Sequence, residues 1–429
     1  MRRILSSIVF TLALACPTIA FAQGPSSCTV ASQNLWVRDA LDEVYYWYQF
    51  MPPGVVPTKF NSPEAYLEAV RYRPIDNSYS FITSAAASDA FYSDSQFIGY
   101  GFGNQITENE IRVMQVYPDS PASEAGLLRG DRIFTVNGRS VSSMVADNTI
   151  GNAFGQAEVG VASTIEWETL SGERRSARLV KRLVTIPTVS LTSVVDLDGR
   201  KVGYLFFRNF VEPSKAALTE AFEALKAAGV TELVLDLRYN GGGLVDVAVH
   251  LASLIGGART NAQVMLSYVH NDKLAAAYNK TTRFTNPPQA LNLQRLVVIT
   301  TRSSASASEL VINSLRPFMP VTTIGDTTFG KPVGQYGLRF CDKILYPVAF
   351  SIRNANNQGD FFDGLAPDCT AGDDYNYQLG DSREASLAEA LTFIRTGACS
   401  AKSAAAARAL GAPRFVFKPS GWASILNAQ

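Results

Sequence analysis

Two segments of the chain contain residue types that could perform acyl-transfer chemistry. Ser306 lies in the run SASASE, where a serine hydroxyl can stand beside a backbone N–H that stabilises an oxyanion. Lys331 lies in a downstream segment, TTFGKPVGQ, at residues 327–335. A buried lysine loses its proton more readily and can then act as a general base. Taken alone, each segment also has a simpler interpretation, because serines cap helices and a loop lysine is usually solvated.

A glycine run offers a second part of the same chemistry. Gly241, Gly242 and Gly243 end the sequence DLRYNGGG, which follows an apolar run and precedes a helix-like stretch. Glycines let a backbone approach a substrate closely, and the N-terminus of a helix favours negative charge. The run could therefore stabilise an oxyanion, although a tight turn between a strand and a helix would use the same residues.

Other catalytic schemes find little support in the sequence. Only two histidines are present, His250 and His270, and neither stands beside a serine or aspartate in a recognised motif. We expect both to be structural or surface residues, and we expect no metal site and no cofactor. Residues 325–331 fit the first part of a phosphate-binding loop, but Pro332 replaces the hydroxyl residue that would bind magnesium. An ATPase is therefore disfavoured.

The segment Gly99-Tyr100-Gly101-Phe102 could bind a carboxylate, because a Gly-x-Gly turn can direct several N–H groups at one point. Downstream, residues 119–141 read DSPASEAGLLRGDRIFTVNGRSV. Together the two segments resemble a PDZ domain, in which the first would be the loop that holds a peptide C-terminus. Such a domain adds its peptide as an extra strand and caps the terminal carboxylate.

These segments need elements that hold them, and the chain from about residue 201 alternates strand-like and helix-like runs. Strands are predicted directly before the glycine, serine and lysine segments, at 233–237, 296–300 and 321–325. Helices are predicted over 213–228, 244–255 and 308–315. Alternation of this kind is typical of a layered α/β domain.

The pattern before residue 95 is helical. Residues 31–48 show helical periodicity, and Ser62-Pro63-Glu64 is typical of a helix start. Short β-rich runs then occupy the PDZ-like region. We expect a multi-domain α/β protein with a signal peptide at 1–22, a helical region at 23–94, a PDZ domain at 95–185, a catalytic domain at 186–399 and an Ala-rich flexible tail at 400–429.

Composition and the N-terminus indicate an exported globular protein. The chain has 429 residues, with 38 basic and 38 acidic side chains and 47% hydrophobic residues. This composition disfavours a disordered chain and a broadly basic nucleic-acid binder. A basic start, a short apolar run and Ala20-Phe21-Ala22 predict a secretory signal, and hence a periplasmic or secreted protein. A lipid anchor at Cys16 is the less favoured alternative, and it would provide the only attachment to a membrane.

The cysteines agree with export. If Cys16 leaves with the signal, four cysteines remain, and an even number in an exported chain predicts two disulfides. Three pairings are compatible with the sequence. We expect Cys341 to pair with Cys369 across a local loop, and Cys28 to pair with Cys399. No CxxC spacing is present, so a zinc site is disfavoured.

The order of these segments resembles the C-terminal processing peptidases, or tail-specific proteases, of serine peptidase family S41. In that family the nucleophile is the middle serine of SASASE and the base is the lysine of TFGK, followed by a glutamine. Ser306, Lys331 and Gln335 occupy these places, and the resemblance covers roughly residues 95–397. This chain reads YNGGG at 239–243 where the family commonly has GNPGG, which leaves open which N–H points inward.

The resemblance implies a crotonase-like β/α core and a serine endopeptidase mechanism. Ser306 would attack the scissile carbonyl, Lys331 would move the proton, and Gln335 would orient Lys331. The N–H groups of Ala307 and one glycine, for which Gly242 is the first candidate, would stabilise the oxyanion.

The resemblance also implies partners. The substrates would be proteins or peptides with apolar C-termini, which the PDZ domain would recruit while it could also gate the site; an adaptor protein could take part. Two other functions remain open. A catalytically latent PDZ-bearing protein would bind peptides without cleaving them, and a crotonase-like acyl-transfer enzyme would bind an acyl thioester, although the PDZ domain argues against the latter.

Overall fold

The N-terminal part of the chain is helical in the computed structural model, which describes residues 24–401. The second helix begins where the sequence indicates, because the Ser62 side chain accepts the Ala65 N–H and Pro63 takes the first helical position. The elements of this part are α1 (Val30–Val44), α2 (Pro63–Val70), β1 (Phe81–Ser84) and α3 (Ala85–Asp94). The predicted signal peptide and Cys16, together with the predicted tail after residue 401, lie outside the described residues.

A β-rich unit follows and has its own hydrophobic core around Tyr100, Phe102, Ile133 and Trp167. Its elements are β2 (Gln96–Gly99), β3 (Phe102–Ile106), β4 (Ile111–Val116), α4 (Pro121–Glu124), β5 (Arg132–Val136), β6 (Arg139–Ser140), α5 (Val141–Ala146), β7 (Ala162–Glu168), β8 (Arg174–Val180) and β9 (Arg182–Thr185). The main sheet has the order β3-β4-β5-β7-β8, with β6 paired to β5, while β2 pairs with β9. Strand β3, which begins at Phe102 of the Gly-Tyr-Gly-Phe segment, is therefore an edge strand of this sheet.

The third part of the chain alternates strands and helices as the sequence predicts. Its elements are β10 (Val189–Leu197), β11 (Arg200–Phe207), α6 (Ser214–Ala227), β12 (Glu232–Asp236), α7 (Val245–Gly256), β13 (Val264–His270), α8 (Asp272–Tyr278), β14 (Thr281–Arg283), β15 (Leu296–Thr300), α9 (Ala307–Leu315), β16 (Val321–Gly325), β17 (Val333–Gln335), β18 (Leu338–Phe340), β19 (Lys343–Tyr346), β20 (Val348–Arg353), β21 (Cys369–Thr370) and α10 (Ala385–Thr396).

The central sheet has the order β10-β11-β12-β15-β16-β21, and all of its pairs except β10–β11 are parallel. Parallel strands end at the same edge of a sheet, so the loops after β12, β15 and β16 meet there. These loops carry the glycine, serine and lysine segments. The topology alone therefore brings the three predicted segments together.

Two smaller sheets complete the part of the chain around this edge. One has the order β14-β13-β20-β17, and the other has the order β1-β19-β18. The second of these sheets joins strand β1 of the N-terminal part to the hairpin that follows Gln335. The N-terminal part is thus paired strand to strand with the third part of the chain.

Packing distinguishes the N-terminal part from the β-rich unit. Trp36, Leu41 and Tyr45 of the N-terminal part share one core with α6, α7 and α9 on one face of the central sheet. The opposite face packs against α10, through Leu387 and Ile394. The N-terminal part therefore has no separate core of its own. Within residues 24–401 there is no helix of the length and apolar character that spanning a membrane requires.

Candidate active site

Ser306 stands at the N-terminal end of α9, in the loop that follows β15. Its φ is +54°, a left-handed backbone conformation that is uncommon for a residue with a side chain, and it lines a cavity. The neighbouring serines have structural partners: Ser304 Oγ donates to Leu237 O at 2.8 Å, and Ser308 Oγ donates to Asn240 O at 2.9 Å. Two serines thus fix the loop, and the sharp turn at Ser306 places that residue beside the cavity.

Lys331 lies in the loop after β16 and lines the same cavity as Ser306. Burial lowers the pKa of Lys331 to about 8, although the charges of Asp76 and Glu309 act in the opposite direction. Its Nζ donates to Gln335 Oε1 at 2.5 Å. The amine is therefore half neutral near pH 8, where an exposed lysine would be almost fully charged.

The side chain of Gln335 is fixed by both of its amide hydrogens. Its Nε2 donates to Tyr79 O at 2.7 Å and to Tyr346 O at 2.8 Å. Because the amide hydrogens are used in this way, Oε1 must face Lys331. Tyr79, which also donates its hydroxyl to Gly330 O at 2.5 Å, directly precedes the β1 region. The N-terminal part of the chain therefore contributes contacts to the site itself.

Glu309, in the first turn of α9, joins the serine loop to the lysine loop. Its buried carboxylate accepts the N–H groups of Ser306 and Lys331, each at 2.9 Å, the Gly330 N–H at 2.7 Å and the Thr328 hydroxyl at 2.5 Å. Burial raises the pKa of Glu309, while these hydrogen bonds favour its ionised form. The sequence gives no sign of this role of Glu309, because the Ser-x-x-Glu spacing indicates only the local bond within a helix start.

The glycine run packs directly against Ser306. A Cβ built on Gly242, whose φ is +99°, would lie 2.8 Å from Ser306 Cβ and 2.9 Å from the Ala307 nitrogen, so only glycine fits there. The Gly242 N–H donates to Asn240 Oδ1 at 2.9 Å. In this structure, the donor that the resemblance assigns to the oxyanion is thus already engaged by a side chain.

Gly243 and Ala307 both line the cavity. Phe210 N–H donates to Gly242 O at 3.1 Å and Leu244 N–H donates to Phe210 O at 2.7 Å, so the intervening Gly243 directs its own N–H away from Phe210. Within residues 24–401, neither the Gly243 N–H nor the Ala307 N–H has an acceptor. These two donors are available to a ligand in the cavity.

The cavity beside Ser306 and Lys331 has a volume of about 420 Å³. Much of its wall is apolar, formed by Leu244, Val245, Leu310, Val333, Phe350, Ile352 and Phe361. At its opening, Asp89 of α3 and Arg339 of β18 form an ion pair of 2.6 Å. A concave site with an apolar wall and a few convergent polar groups suits an amino-acid side chain of a peptide.

The predicted carboxylate loop lies at the start of the edge strand β3. Tyr100 and Phe102 are fully buried in the core of the β-rich unit, and the Tyr100 hydroxyl donates to Ser163 Oγ at 2.9 Å. Gly101 has a φ of +93°, and a Cβ there would lie 2.1 Å from Ser120 Cβ, so glycine is required. Gly99 ends β2 and pairs with Arg182. The aromatic residues of the segment thus anchor the loop, while β3 keeps one free edge.

The four cysteines of the described chain form two disulfides, but the predicted pairing is wrong. Cys28 pairs with Cys341, and Cys369 pairs with Cys399, in place of Cys341–Cys369 and Cys28–Cys399. The reason is topological. Cys341 lies in the turn between β18 and β19, which packs on α1, where the rings of Trp36 and Phe340 stack with centroids 4.6 Å apart. Cys369 lies in β21, at the edge of the central sheet and close to the residues after α10.

The two histidines differ in their distance from the cavity. His250 Nε2 lies 2.9 Å from Thr219 Oγ1, on paired helices. His270 is 5% exposed, and its Nε2 lies 2.8 Å from the hydroxyl of Tyr336, a residue that lines the cavity. Neither histidine contacts Ser306 in the described structure. Tyr336 is a further cavity residue that the sequence analysis did not identify.

One cluster of potential metal ligands occurs among residues 24–401, formed by Cys369, Glu389 and Cys399. Its two sulfur atoms are bonded to each other. Glu389 accepts the N–H of Ser400 at 2.8 Å and its hydroxyl at 2.6 Å. This cluster is therefore a disulfide beside an occupied carboxylate rather than a built metal site.

The sheet that gathers the serine, lysine and glycine loops, together with the appended β-rich unit, defines a multi-domain α/β protein with a peptidase-type core, as the sequence predicts. Comparison with family models agrees. Residues 201–371 match peptidase family S41, residues 32–81 match the peptidase S41 N-terminal domain, and residues 112–147 match a PDZ domain. The chain belongs to peptidase family S41.

Relatives and solved structures support this assignment. The carboxy-terminal processing protease CtpA of Bacillus subtilis is 27% identical over 270 residues, which cover 62% of this chain and 55% of that protein. An S41 protease structure from Bacteroides fragilis is 28% identical, with a TM-score of 0.67 over 84% of this chain and 97% of that one. The photosystem II D1 C-terminal processing protease has the same fold, with 21% identity and a TM-score of 0.51 over 80% of this chain and 93% of that one. The chain spans about half the length of the curated relatives that it matches.

Proposed function

We propose that this chain is a serine endopeptidase in which Ser306 is the nucleophile and Lys331 is the general base. One observation carries the proposal: a buried amine with a pKa of about 8, held by Gln335, lines the same cavity as Ser306. A lysine can serve as a base only when its amine is neutral, and burial provides that condition here. A lysine that served only to form an ion pair would face a carboxylate rather than a glutamine oxygen.

The proposed reaction begins when Ser306 Oγ attacks the carbonyl carbon of the scissile peptide. Neutral Lys331 takes the hydroxyl proton and becomes an ammonium group, while the carbonyl oxygen becomes an oxyanion. The ammonium group then gives its proton to the leaving amine as the C–N bond breaks. An ester between Ser306 and the N-terminal fragment remains. A water molecule, deprotonated by Lys331, hydrolyses this ester and regenerates the serine.

We assign the oxyanion donors to the N–H groups of Gly243 and Ala307. Both residues line the cavity, and both N–H groups lack an acceptor within the described chain. The Gly242 N–H, the first candidate from the resemblance, donates to Asn240 Oδ1 and would have to exchange that partner. Donors aimed at the developing negative charge stabilise the transition state in a water-excluded site.

We further propose that the β-rich unit, residues 95–185, recruits protein substrates by their C-terminal tails. Its edge strand β3 can accept an additional strand, and the preceding Gly99–Phe102 loop can cap a carboxylate. The similar protein of Bacillus subtilis is named a carboxy-terminal processing protease, which supports this substrate class. The helical region at 23–94 and the catalytic domain at 186–399 would form the remaining body. Export by the 1–22 signal and the preference for apolar tails are parts of the same proposal.

A second function is favoured by one observation. The Gly242 N–H is occupied by Asn240, so the glycine loop could be held in a conformation that does not complete the oxyanion site. A catalytically latent PDZ-bearing peptide-binding protein would have such a loop. This protein would bind peptides without cleaving them until a partner released the loop.

The test compares wild type with Ser306→Ala and Lys331→Ala, and with Ser303→Ala as a matched control outside the cavity lining. Each protein is incubated with an unfolded protein that ends in an apolar tail, and the fragments are identified by mass spectrometry. Cleavage by wild type and Ser303→Ala alone would support the proposal. Cleavage by all four proteins would contradict the Ser306/Lys331 mechanism. Binding without cleavage by wild type would favour the latent protein.

A further inference from the structure

Arg129 of the β-rich unit is buried against the catalytic core. It lies between α4 and β5, and it is only 3% exposed. Its guanidinium donates one hydrogen bond within the unit, from Nη1 to Met114 O at 2.8 Å. Its other donors reach the third part of the chain: the Tyr239 hydroxyl at 2.5 Å, Asp373 Oδ1 at 2.6 Å, Tyr377 O at 3.1 Å and Asp374 O at 3.3 Å. A buried arginine with this many hydrogen-bond acceptors holds the β-rich unit in one position against the third part of the chain.

Tyr239 connects this contact to the glycine loop. Its hydroxyl accepts from Arg129 and donates to Asp373, while its backbone oxygen accepts from Arg208 at 2.6 Å. The next residue is Asn240, whose Oδ1 holds the Gly242 N–H and whose backbone oxygen accepts the Ala305 N–H at 3.1 Å. Tyr239 is therefore held at both its hydroxyl and its backbone, immediately before the residues that pack on Ser306.

The Asp373 carboxylate, which accepts from Arg129, also contacts a second buried arginine. Arg238 donates to Asp373 and Glu384, each at 2.9 Å, and also pairs with Asp236 at the end of β12. Burial opposes ionisation of Asp373, but Arg129 and Arg238 together hold its pKa well below its usual range. Without Arg129, the buried Asp236 and Glu384 and the partly exposed Asp373 would face one guanidinium, and the network would have to rearrange.

The backbone of the β-rich unit is also close to this network. A Cβ on Gly130, whose φ is +94°, would lie 2.3 Å from Tyr375 O. The Tyr375 hydroxyl donates to Gln105 Oε1 of the edge strand β3 at 2.8 Å, and Met114 is 4% exposed in the core cluster that includes Tyr239. Apolar packing, a close backbone contact and a buried ionic network thus hold the β-rich unit against the third part of the chain.

We infer that Arg129 is a positioning residue for the oxyanion loop, so that the β-rich unit completes the catalytic site as well as recruiting substrate. The inference rests on the proposed function. It adds that the position of the β-rich unit against the third part of the chain determines the activity of the site. The route runs from the Arg129 guanidinium through the Tyr239 hydroxyl to Asn240–Gly243. Cleavage of a substrate that is too short to pair with the edge strand β3 should then still depend on Arg129.

The experiment uses the full chain and a short internally quenched peptide that lacks a free apolar C-terminus. We expect Arg129→Met to lower kcat about 100-fold, the loss typical of a displaced oxyanion donor, with KM changed less than about threefold. Arg129→Lys should recover part of kcat, because a lysine keeps the charge but cannot reach Tyr239, Asp373 and Met114 O together. Arg132→Met is the matched control, since that side chain is 39% exposed in the same unit, and its kcat should equal that of wild type.

Tyr239→Phe keeps the inference testable if Arg129→Met does not fold. This variant loses only the hydroxyl that joins Arg129 to the loop, and we expect kcat to fall about tenfold with slower labelling of Ser306 by a fluorophosphonate. A wild-type kcat in folded Arg129→Met or Tyr239→Phe would overturn the inference, as would a loss confined to KM. Absence of cleavage by wild type, or cleavage by Ser306→Ala, would instead remove the proposed function on which the inference rests.

Discussion

At the scale of single residues, the buried amine of Lys331 determines how activity should depend on pH. Burial lowers its pKa to about 8, so the neutral, active form is the minority below that pH and the majority above it. We expect kcat/KM to rise about tenfold per pH unit below the pKa and to level off above it. The measurement is a pH–rate profile with the quenched peptide, corrected for the stability of the protein at each pH.

A change at Gln335 provides the control for this assignment. Gln335→Glu would place a negative charge 2.5 Å from the Lys331 amine, at the position of the present Oε1 contact. A nearby negative charge favours the ammonium form, so the inflection should move to higher pH and activity at pH 7 should fall. An inflection that stays at the same pH in this variant would show that another group controls the profile.

Single residues also show which parts of the site can be predicted from the sequence and which cannot. Ser306, Lys331 and Gln335 could be proposed because the runs SASASE and TFGK, with the glutamine that follows, resemble the motifs of a known family. Glu309 could not, since its contacts to Gly330 and Lys331 join positions separated by 21 and 22 residues. The direction of the Gly242 N–H could not be predicted from the sequence either, because it depends on the conformation of the Asn240 side chain rather than on the presence of glycine.

At the scale of elements, Glu309 holds the loop after β15 to the loop after β16. Glu309→Gln has nearly the same shape, but an amide group would replace one acceptor oxygen and face two donors. Leaving such buried groups unpaired costs about 1–3 kcal/mol, so we expect a loss of that size in the free energy of unfolding. The separation of Ser306 from Lys331 would also change, so kcat should fall with it. Urea denaturation and steady-state kinetics would measure the two effects.

Glu389→Gln is the matched control for this prediction. Glu389 is also buried, but the two hydrogen bonds that it accepts both come from Ser400, beside the Cys369–Cys399 disulfide. We expect this variant to lose stability while keeping kcat. Equal kinetic losses in the two variants would show that Glu309 acts only on overall stability.

The elements themselves were predictable to different degrees. Strands β15 and β16 occupy the predicted ranges 296–300 and 321–325, because LVVIT is a nearly continuous apolar run and VTTIG is rich in β-branched residues. The sheet of β13, β14, β17 and β20 was not predicted, since β14 and β17 have only three residues each and β13 pairs with the distant β20. Helix α1 ends at Val44, earlier than its aromatic periodicity suggests, because Tyr45 leaves the helix and its hydroxyl donates to Asp76 at 2.9 Å.

At the scale of the whole molecule, the two disulfides should contribute unequally to stability. Cys28–Cys341 closes a separation of 313 residues, whereas Cys369–Cys399 closes one of 30. Longer loops lose more entropy when the unfolded chain is cross-linked, and the difference amounts to about 2 kcal/mol in the chain-entropy model. We therefore expect Cys28→Ser/Cys341→Ser to destabilise the protein more than Cys369→Ser/Cys399→Ser. Denaturation of both double variants under non-reducing conditions would test this order, and the reverse order would contradict it.

The long-range contacts of Gln335 have a further consequence for how this protein is made. Its amide donates to the backbone oxygen of Tyr79, a residue that the ribosome adds 256 positions earlier. Strand β1, which follows Tyr79, pairs with β19, so it has no partner until the chain is synthesised past residue 346. The base of the proposed dyad is consequently oriented only after the chain has been translated past residue 346. A nascent chain shorter than this would therefore lack the oriented base that the proposed proteolysis needs.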